Sequence, residues 1–136
     1  MSDKIKAVYA YTPRVKLEPV VELHTLSSFI EGRTSFNRGA VVNMLTEISE
    51  AIVFFCMSGQ PVRLPGVGIL APKVTKDGVY GLNFKMDAWL KSEMNVKGKF
   101  KGRVVNRDMI GKSVDEMVDR WNEEHPDDKI KPDKEK

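Results

Sequence analysis

Apolar residues recur at helical spacing through Val41, Leu45, Ile48, Ile52 and Phe55, with Val42, Ala51 and Cys56 widening the stripe. Thr34-Ser35 stands just before this run, and a serine oxygen there can accept from unpaired backbone N–H groups, so an N-cap is expected at that point. The spacing predicts a long helix that ends at Ser58-Gly59. Its last turns are apolar on nearly every side: Ile52, Val53, Phe54, Phe55, Cys56 and Met57. A helix apolar all round has to be buried all round. A domain this small can scarcely do that alone, so Ile48, Ile52, Phe54, Phe55 and Met57 are expected to pack into a partner subunit of a homodimer. The alternative is burial beneath the N- and C-terminal segments of the same chain.

The other patterns are shorter. Residues 4–11 alternate and then turn aromatic and β-branched (Val8-Tyr9-Ala10-Tyr11), which predicts an N-terminal strand closed by Pro13. Glu18-Pro19 suits a helix start, and Leu23, Leu26, Phe29 and Ile30 predict a helix over residues 19–31 that stops at Gly32. Val62, Leu64, Val67, Ile69 and Leu70 read as one strand, bent where Pro65-Gly66 and Gly68 break the alternation. Asp77-Gly78 suits a two-residue hairpin turn between Val74 and Tyr80. A short helix is expected over residues 87–94. Over residues 96–105, small or apolar residues alternate with Lys97, Lys99, Lys101 and Arg103, which predicts a strand with one cationic face. Ser113 and Glu116 form a capping-box signature for a helix carrying Met117, Val118 and Trp121 that stops before Pro126. From Asp127 the chain is charged and poor in apolar residues, and a disordered tail is expected there.

Composition narrows the class. With 41% hydrophobic and 30% charged residues the chain reads as a soluble globular protein. No apolar run approaches the ~20 residues of a membrane span, and no signal-peptide stretch follows Met1-Ser2-Asp3-Lys4. An intracellular, cytoplasmic protein without a membrane partner is expected. Cys56 is the single cysteine and sits in an apolar run, where a small buried hydrophobe is expected. The net charge of +3 is uneven. Residues 60–107 carry ten basic and three acidic side chains, whereas residues 108–136 carry six basic and ten acidic ones. A basic middle points to a polyanion served by part of the surface. The alternative for Lys97 to Arg103 is a solvated strand whose lysines guard an edge. His24, His125 and Cys56 are far apart in sequence, and no motif pairs a nucleophile with a base. The acidic group Glu123, Glu124, Asp127 and Asp128 beside His125 reads as surface charge. No catalysis, metal, cofactor or small-molecule substrate is therefore expected.

A helix, a capped second helix ending in glycine, then Val62-Arg63-Leu64-Pro65-Gly66-Val67-Gly68-Ile69-Leu70 and a hairpin, resembles the HU/IHF family of bacterial histone-like DNA-binding proteins. In that family the strand reads V-x-L-x-G-F-G-x-F, and Val62, Leu64, Gly66, Val67, Gly68 and Leu70 take those positions here. The terminal segments look like the Bacteroides-type HU-like branch. The resemblance implies an α+β, HU/IHF-like fold with two helices packed on a small antiparallel sheet. Residues 19–95 would form that core and residues 1–18 an N-terminal strand extension. Residues 96–126 would add a basic strand plus C-terminal helix, and residues 127–136 a disordered tail. It also implies nucleoid-associated binding of double-stranded DNA, independent of sequence, with Arg63, Lys73, Lys76, Lys85, Lys97, Lys99, Lys101 and Arg103 as phosphate contacts. The family's long DNA-embracing arm and its tip proline have no counterpart between Leu70 and Phe84, so strong proline-wedge bending is not expected. The alternative is an arm-less HU-like dimerisation module that meets a protein rather than DNA.

Overall fold

In the computed structural model, which describes residues 3–131, eleven elements follow one another. They are α1 (Lys4–Tyr11), β1 (Arg14–Val15), α2 (Leu23–Glu31), α3 (Arg38–Cys56), β2 (Val62–Leu64), β3 (Gly68–Val74), β4 (Tyr80–Met86), α4 (Ala88–Met94), β5 (Val104–Val105), a 3₁₀ turn (Arg107–Met109) and α5 (Val114–Glu124). The protein is α+β, with one three-stranded and one two-stranded antiparallel sheet among the described residues. It divides into two units. One is Pro19–Phe100; the other joins the described residues of Met1–Glu18 and Lys101–Lys136.

In the Pro19–Phe100 unit, α2 packs on α3, and α3 lies against β2 and β3. The helix α2 starts at Leu23 and not at Pro19: residues 19–22 form no helix, and Glu22 is extended at φ −88° and ψ 173°. The cap of α3 lies at Asn37, two residues beyond the Ser35 expected: its side chain accepts from Ala40 N at 2.9 Å, while Glu31 accepts from Arg38 N at 2.6 Å. Gly59, at φ +81°, ends the helix where the sequence predicts. The phrase from Val62 to Leu70 is two strands and not one. Leu64-Pro65-Gly66-Val67 closes on itself through Val67 N donating to Leu64 O, with proline and a positive-φ glycine at the turn's two centres. The second hairpin forms at Asp77-Gly78 as expected, but with a three-residue loop: Gly78 N donates to Thr75 O and Thr75 N to Val79 O. The short helix after it appears as α4, where Asp87 accepts from Trp89 N at 3.0 Å.

Gly68 is fixed by space. A Cβ there would stand 2.3 Å from the Lys85 carbonyl oxygen and 2.6 Å from the Phe84 ring. Gly68→Ala therefore has to push β4 away from β3, and overpacking of this kind costs about 1–3 kcal/mol. A urea titration of the variant is expected to show a lower midpoint at unchanged slope.

Three further expectations are corrected, two of them in the second unit and one where the chain passes into it. Residues 4–11 form a helix, not a strand, because Ala7 and Tyr11 recur one turn apart and bury against α5. Residues 97–103 are turns and coil, and only Val104–Val105 pairs as a strand. Gly98, at φ +76°, breaks the alternation that suggested a longer one. Of the expected disordered tail over residues 127–136, the described part is ordered; residues 132–136 lie outside the described residues. Ile130 is 4% exposed and joins Ala7, Tyr11, Met109 and Met117 in the core. Asn122 brackets it, its carbonyl accepting from Ile130 N at 2.7 Å and its amide donating to Ile130 O at 3.3 Å, and Trp121 Nε1 donates to Asp128 O. The capping box of α5 is present in both directions, Glu116 N to Ser113 and Ser113 N to Glu116. Ile130→Ala removes one of five core side chains and should cost about 2–5 kcal/mol. Thermal unfolding followed by the fluorescence of Trp121 measures it.

Candidate nucleic-acid interface

The register of the three-stranded sheet sorts its side chains onto two faces. Arg63 pairs with Ile69 and Ile69 with Lys85, so these three point the same way; Ala71, Lys73, Asn83 and Gly81 continue that face. The opposite face carries Val62, Leu64, Leu70, Pro72, Val74, Tyr80, Leu82, Phe84 and Met86. Arg63 and Lys85 flank the central strand with backbones about 10 Å apart, and Lys73 lies about 13 Å along it. The stem of Lys73 lies over Gly81, where a Cβ would come within 3.3 Å of it. All three cations are exposed, and among the described residues none of them is in an ion pair. Lys76 sits in the hairpin loop beyond β3.

The other four predicted contacts are not on one strand face. Lys97 and Lys99 are in turns after α4, and Lys99 is held by Glu93 at 2.6 Å. Lys101 and Arg103 belong to the second unit. There Lys16 N donates to Arg103 O, which brings Lys16 and Arg14 beside Arg103; neither was singled out in the sequence. Their Arg-Val-Lys alternation was the available local signal.

The residues expected at a subunit interface form the end of α3. Ile48 and Ile52 are half-buried, Phe55 is exposed, Phe54 is 71% exposed and Met57 82%. Ile52, Val53, Cys56 and Met57 line one side of an open groove of about 830 Å³ whose other side is residues 72–74 and 80–82, Lys73 among them. Cys56 is buried, as expected, with its thiol 3.9 Å from Leu70 O. By length and composition α3 could cross a membrane. Glu47 and Glu50 lie within it, however, and carboxylates are costly inside a bilayer.

Of the acidic residues of α5, Asp115 pairs with Lys4, Glu116 closes the capping box, and Glu124 joins a cluster around Arg120. Arg120 bonds Asp108 at 2.7 Å and Glu124 at 3.1 Å and stacks over the Tyr11 ring, and the Tyr11 hydroxyl donates to Glu124. His125 stacks on Trp121 at 3.8 Å. Among the described residues no group of histidine, cysteine and carboxylate side chains could hold a metal ion. Burial first, then the bond to Glu124 and its charge, pushes the Tyr11 phenol up to about 12. The bonds from Tyr11 and then Arg120 hold the Glu124 carboxyl below its ordinary value. The Tyr11 contribution to stability is therefore whole below an unfolded value near 10 and is lost as pH rises through about 12. The Glu124 contribution is present above the ordinary carboxylate range and is lost as pH falls through its lowered value. Phenolate absorbance should show a step near pH 12 that disappears in Tyr11→Phe.

A long helix against a three-stranded sheet, one face of which is apolar while the other bears three unpaired cations, defines a small α+β protein. The chain belongs to the HU-HIG family, described as an HU domain fused to wHTH, Ig, or Glycine-rich motif, whose profile matches residues 3–83, more than half of its length. No curated protein and no solved structure matches it.

Proposed function

We propose that this chain is a homodimeric, nucleoid-associated protein of the cytoplasm that binds double-stranded DNA without sequence preference, through phosphate contacts and without a proline wedge. The observation that carries the reading is the placement of Arg63, Lys73 and Lys85 as unpaired cations on one sheet face. Separations of about 10–13 Å, with long flexible stems, suit phosphates on both edges of a minor groove about 6 Å wide. Lys76 in the hairpin loop extends the same surface, and Lys97 supplements it. The apolar face opposite, with the end of α3, supports a second copy as the partner that buries Phe54, Phe55 and Met57, in the two-helix arrangement of HU/IHF proteins. The segments before and within α5 support the Bacteroides-type branch. The reading assigns the chain no catalysis and no small-molecule substrate.

The test is a titration of fluorescently labelled duplex DNA against salt. Affinity should fall steeply, by about 10³-fold between about 50 and 200 mM if six phosphates are neutralised per dimer. One observation favours the second reading, an HU-like module that dimerises or meets another protein. The hairpin closes after seven-residue strands at Lys76-Asp77-Gly78, which leaves no long arm to embrace a duplex. A dimer that fails to bind duplex DNA at about 50 mM salt would leave that reading standing.

A further inference from the structure

We propose that the β1–β5 ribbon of the second unit is a separate phosphate-binding surface for duplex DNA, formed by Arg14, Lys16 and Arg103. The proposal rests on the DNA reading above and adds a contact surface made by residues 89 positions apart. The register pairs Arg14 with Val105 and Val15 with Val104, and Lys16 N donates to Arg103 O at 2.9 Å. Arg14, Lys16, Arg103 and Val105 therefore share one face of the ribbon, with Val15 and Val104 on the other.

Lys16 stands directly across from Arg103, their Cβ atoms about 5 Å apart, and like charges so placed repel. An internal carboxylate would relieve this, but among the described residues each carboxylate that forms an ion pair in this unit does so with another cation, and none is paired with the ribbon. Asp115 pairs with Lys4, Asp128 with Lys6, and Asp108 and Glu124 with Arg120. Among the described residues no ion pair involves Arg14, Lys16 or Arg103, and all three are exposed. The ribbon is also held in place. Asn106, in the left-handed conformation at φ +59°, donates its side-chain amide to Ala10 O at 2.8 Å and to Thr12 O at 3.3 Å, tying β5 to the turn before β1. A fixed, mutually repelling set of cations is relieved by an external polyanion. The face has no aromatic anchor of the kind that a protein partner needs at the centre of an interface. Nor has it one on which a single-stranded base could stack. Duplex backbone is the polyanion that fits.

The full-length protein with Arg14→Ala, Lys16→Ala and Arg103→Ala together should bind labelled duplex DNA about 100-fold more weakly at about 0.1 M salt, with the slope of log affinity against log salt shallower by about 3–5. Arg14→Lys with Arg103→Lys should retain the wild-type slope, since phosphate neutralisation needs charge and no fixed geometry. A Lys112→Ala, Lys129→Ala variant controls for overall charge and should bind as wild type. A triple variant with unchanged affinity and slope overturns the ribbon proposal and leaves the DNA reading intact. Wild-type protein that does not bind duplex DNA overturns both. A triple variant that binds DNA normally but loses binding to polyglutamate reassigns the ribbon to an acidic protein partner and overturns duplex DNA as its occupant.

Discussion

Phe54→Asp is expected to convert a dimer of this chain into monomers whose Pro19–Phe100 unit is largely unfolded. That unit holds 82 residues, yet of the buried hydrophobic side chains in the described structure only Val41 and Cys56 belong to it. A chain segment of this size that folds alone removes about 60% of its unfolded surface from water. Here Val53, Phe54, Phe55 and Met57 on α3 stay exposed, as do Val74, Tyr80, Leu82, Phe84 and Met86 on one sheet face. On the proposed reading, a unit with an apolar surface and hardly any core is half of a core, which a second molecule completes. In a symmetric dimer each substitution acts twice. Losing about 1.5–3 kcal/mol of burial per phenylalanine gives about 3–6 kcal/mol, or two to four decades in the dissociation constant, before the cost of burying a carboxylate is added. Sedimentation equilibrium, with circular-dichroism melts at two concentrations, measures this; the wild-type Tm should rise with concentration and the variant's should not. A wild-type protein that is monomeric at about 100 μM and still melts cooperatively in this unit would sink the dimer.

What the sequence showed of this structure follows the range of the interactions that decide each element. The helix α3, the Asp77-Gly78 hairpin and the capping box of α5 are set by residues within a few positions of one another, and all three were legible. The loop length at Asp77-Gly78 and the turn at Pro65-Gly66 were legible in residue type but not in consequence. A proline followed by a positive-φ glycine reverses a chain as readily as it bends one. The N-terminal helix was not legible, since eight residues hold about two turns and Lys4 to Tyr11 fit alternation as well as they fit helical spacing. Its state is decided by packing against α5, more than a hundred residues later. The order of the chain end is decided the same way. Ile130 is a single apolar residue in a charged stretch, but Asn122 and Trp121 hold its backbone and a core receives its side chain.

The basic residues divide along the same line. Arg63, Lys73 and Lys85 share a sheet face because of strand parity and hairpin register, both of which were available locally. The grouping of Arg103 with Arg14 and Lys16 depends on strands joined only through the other unit, so charge counts along the sequence assigned Arg103 to the wrong neighbours. The acidic balance of residues 108–136 was legible as a number but not as a role. Among the described residues, Asp115, Asp128 and Glu124 hold α1 and Asp108 and Glu124 hold Arg120, none of them pairing with a cation of the ribbon in the same unit.

Arg63→Ala, Lys73→Ala and Lys85→Ala together are expected to weaken duplex binding by about 100-fold or more at about 0.1 M salt while leaving the dimer intact. The register puts the three exposed side chains on one sheet face, opposite the apolar residues of the strands, and Lys73 also borders the groove at the end of α3, so sedimentation of the variant checks that the dimer is kept. Six charges per dimer, each contributing about 0.9 to the salt exponent, would account for about five decades of affinity at 0.1 M if every one sat on a phosphate. Lysine stems are mobile and their contacts partial, which sets the expected loss lower and makes the slope the sharper reading: it should become shallower by about 3–5. The loss should be the same for AT-rich and GC-rich duplexes, because phosphate contacts carry no sequence information. Fluorescence anisotropy over about 50–200 mM salt separates the possibilities. A variant that keeps the wild-type slope assigns the DNA contacts to other surfaces, and a loss confined to one base composition would mean that this face reads groove shape or base edges rather than charge alone.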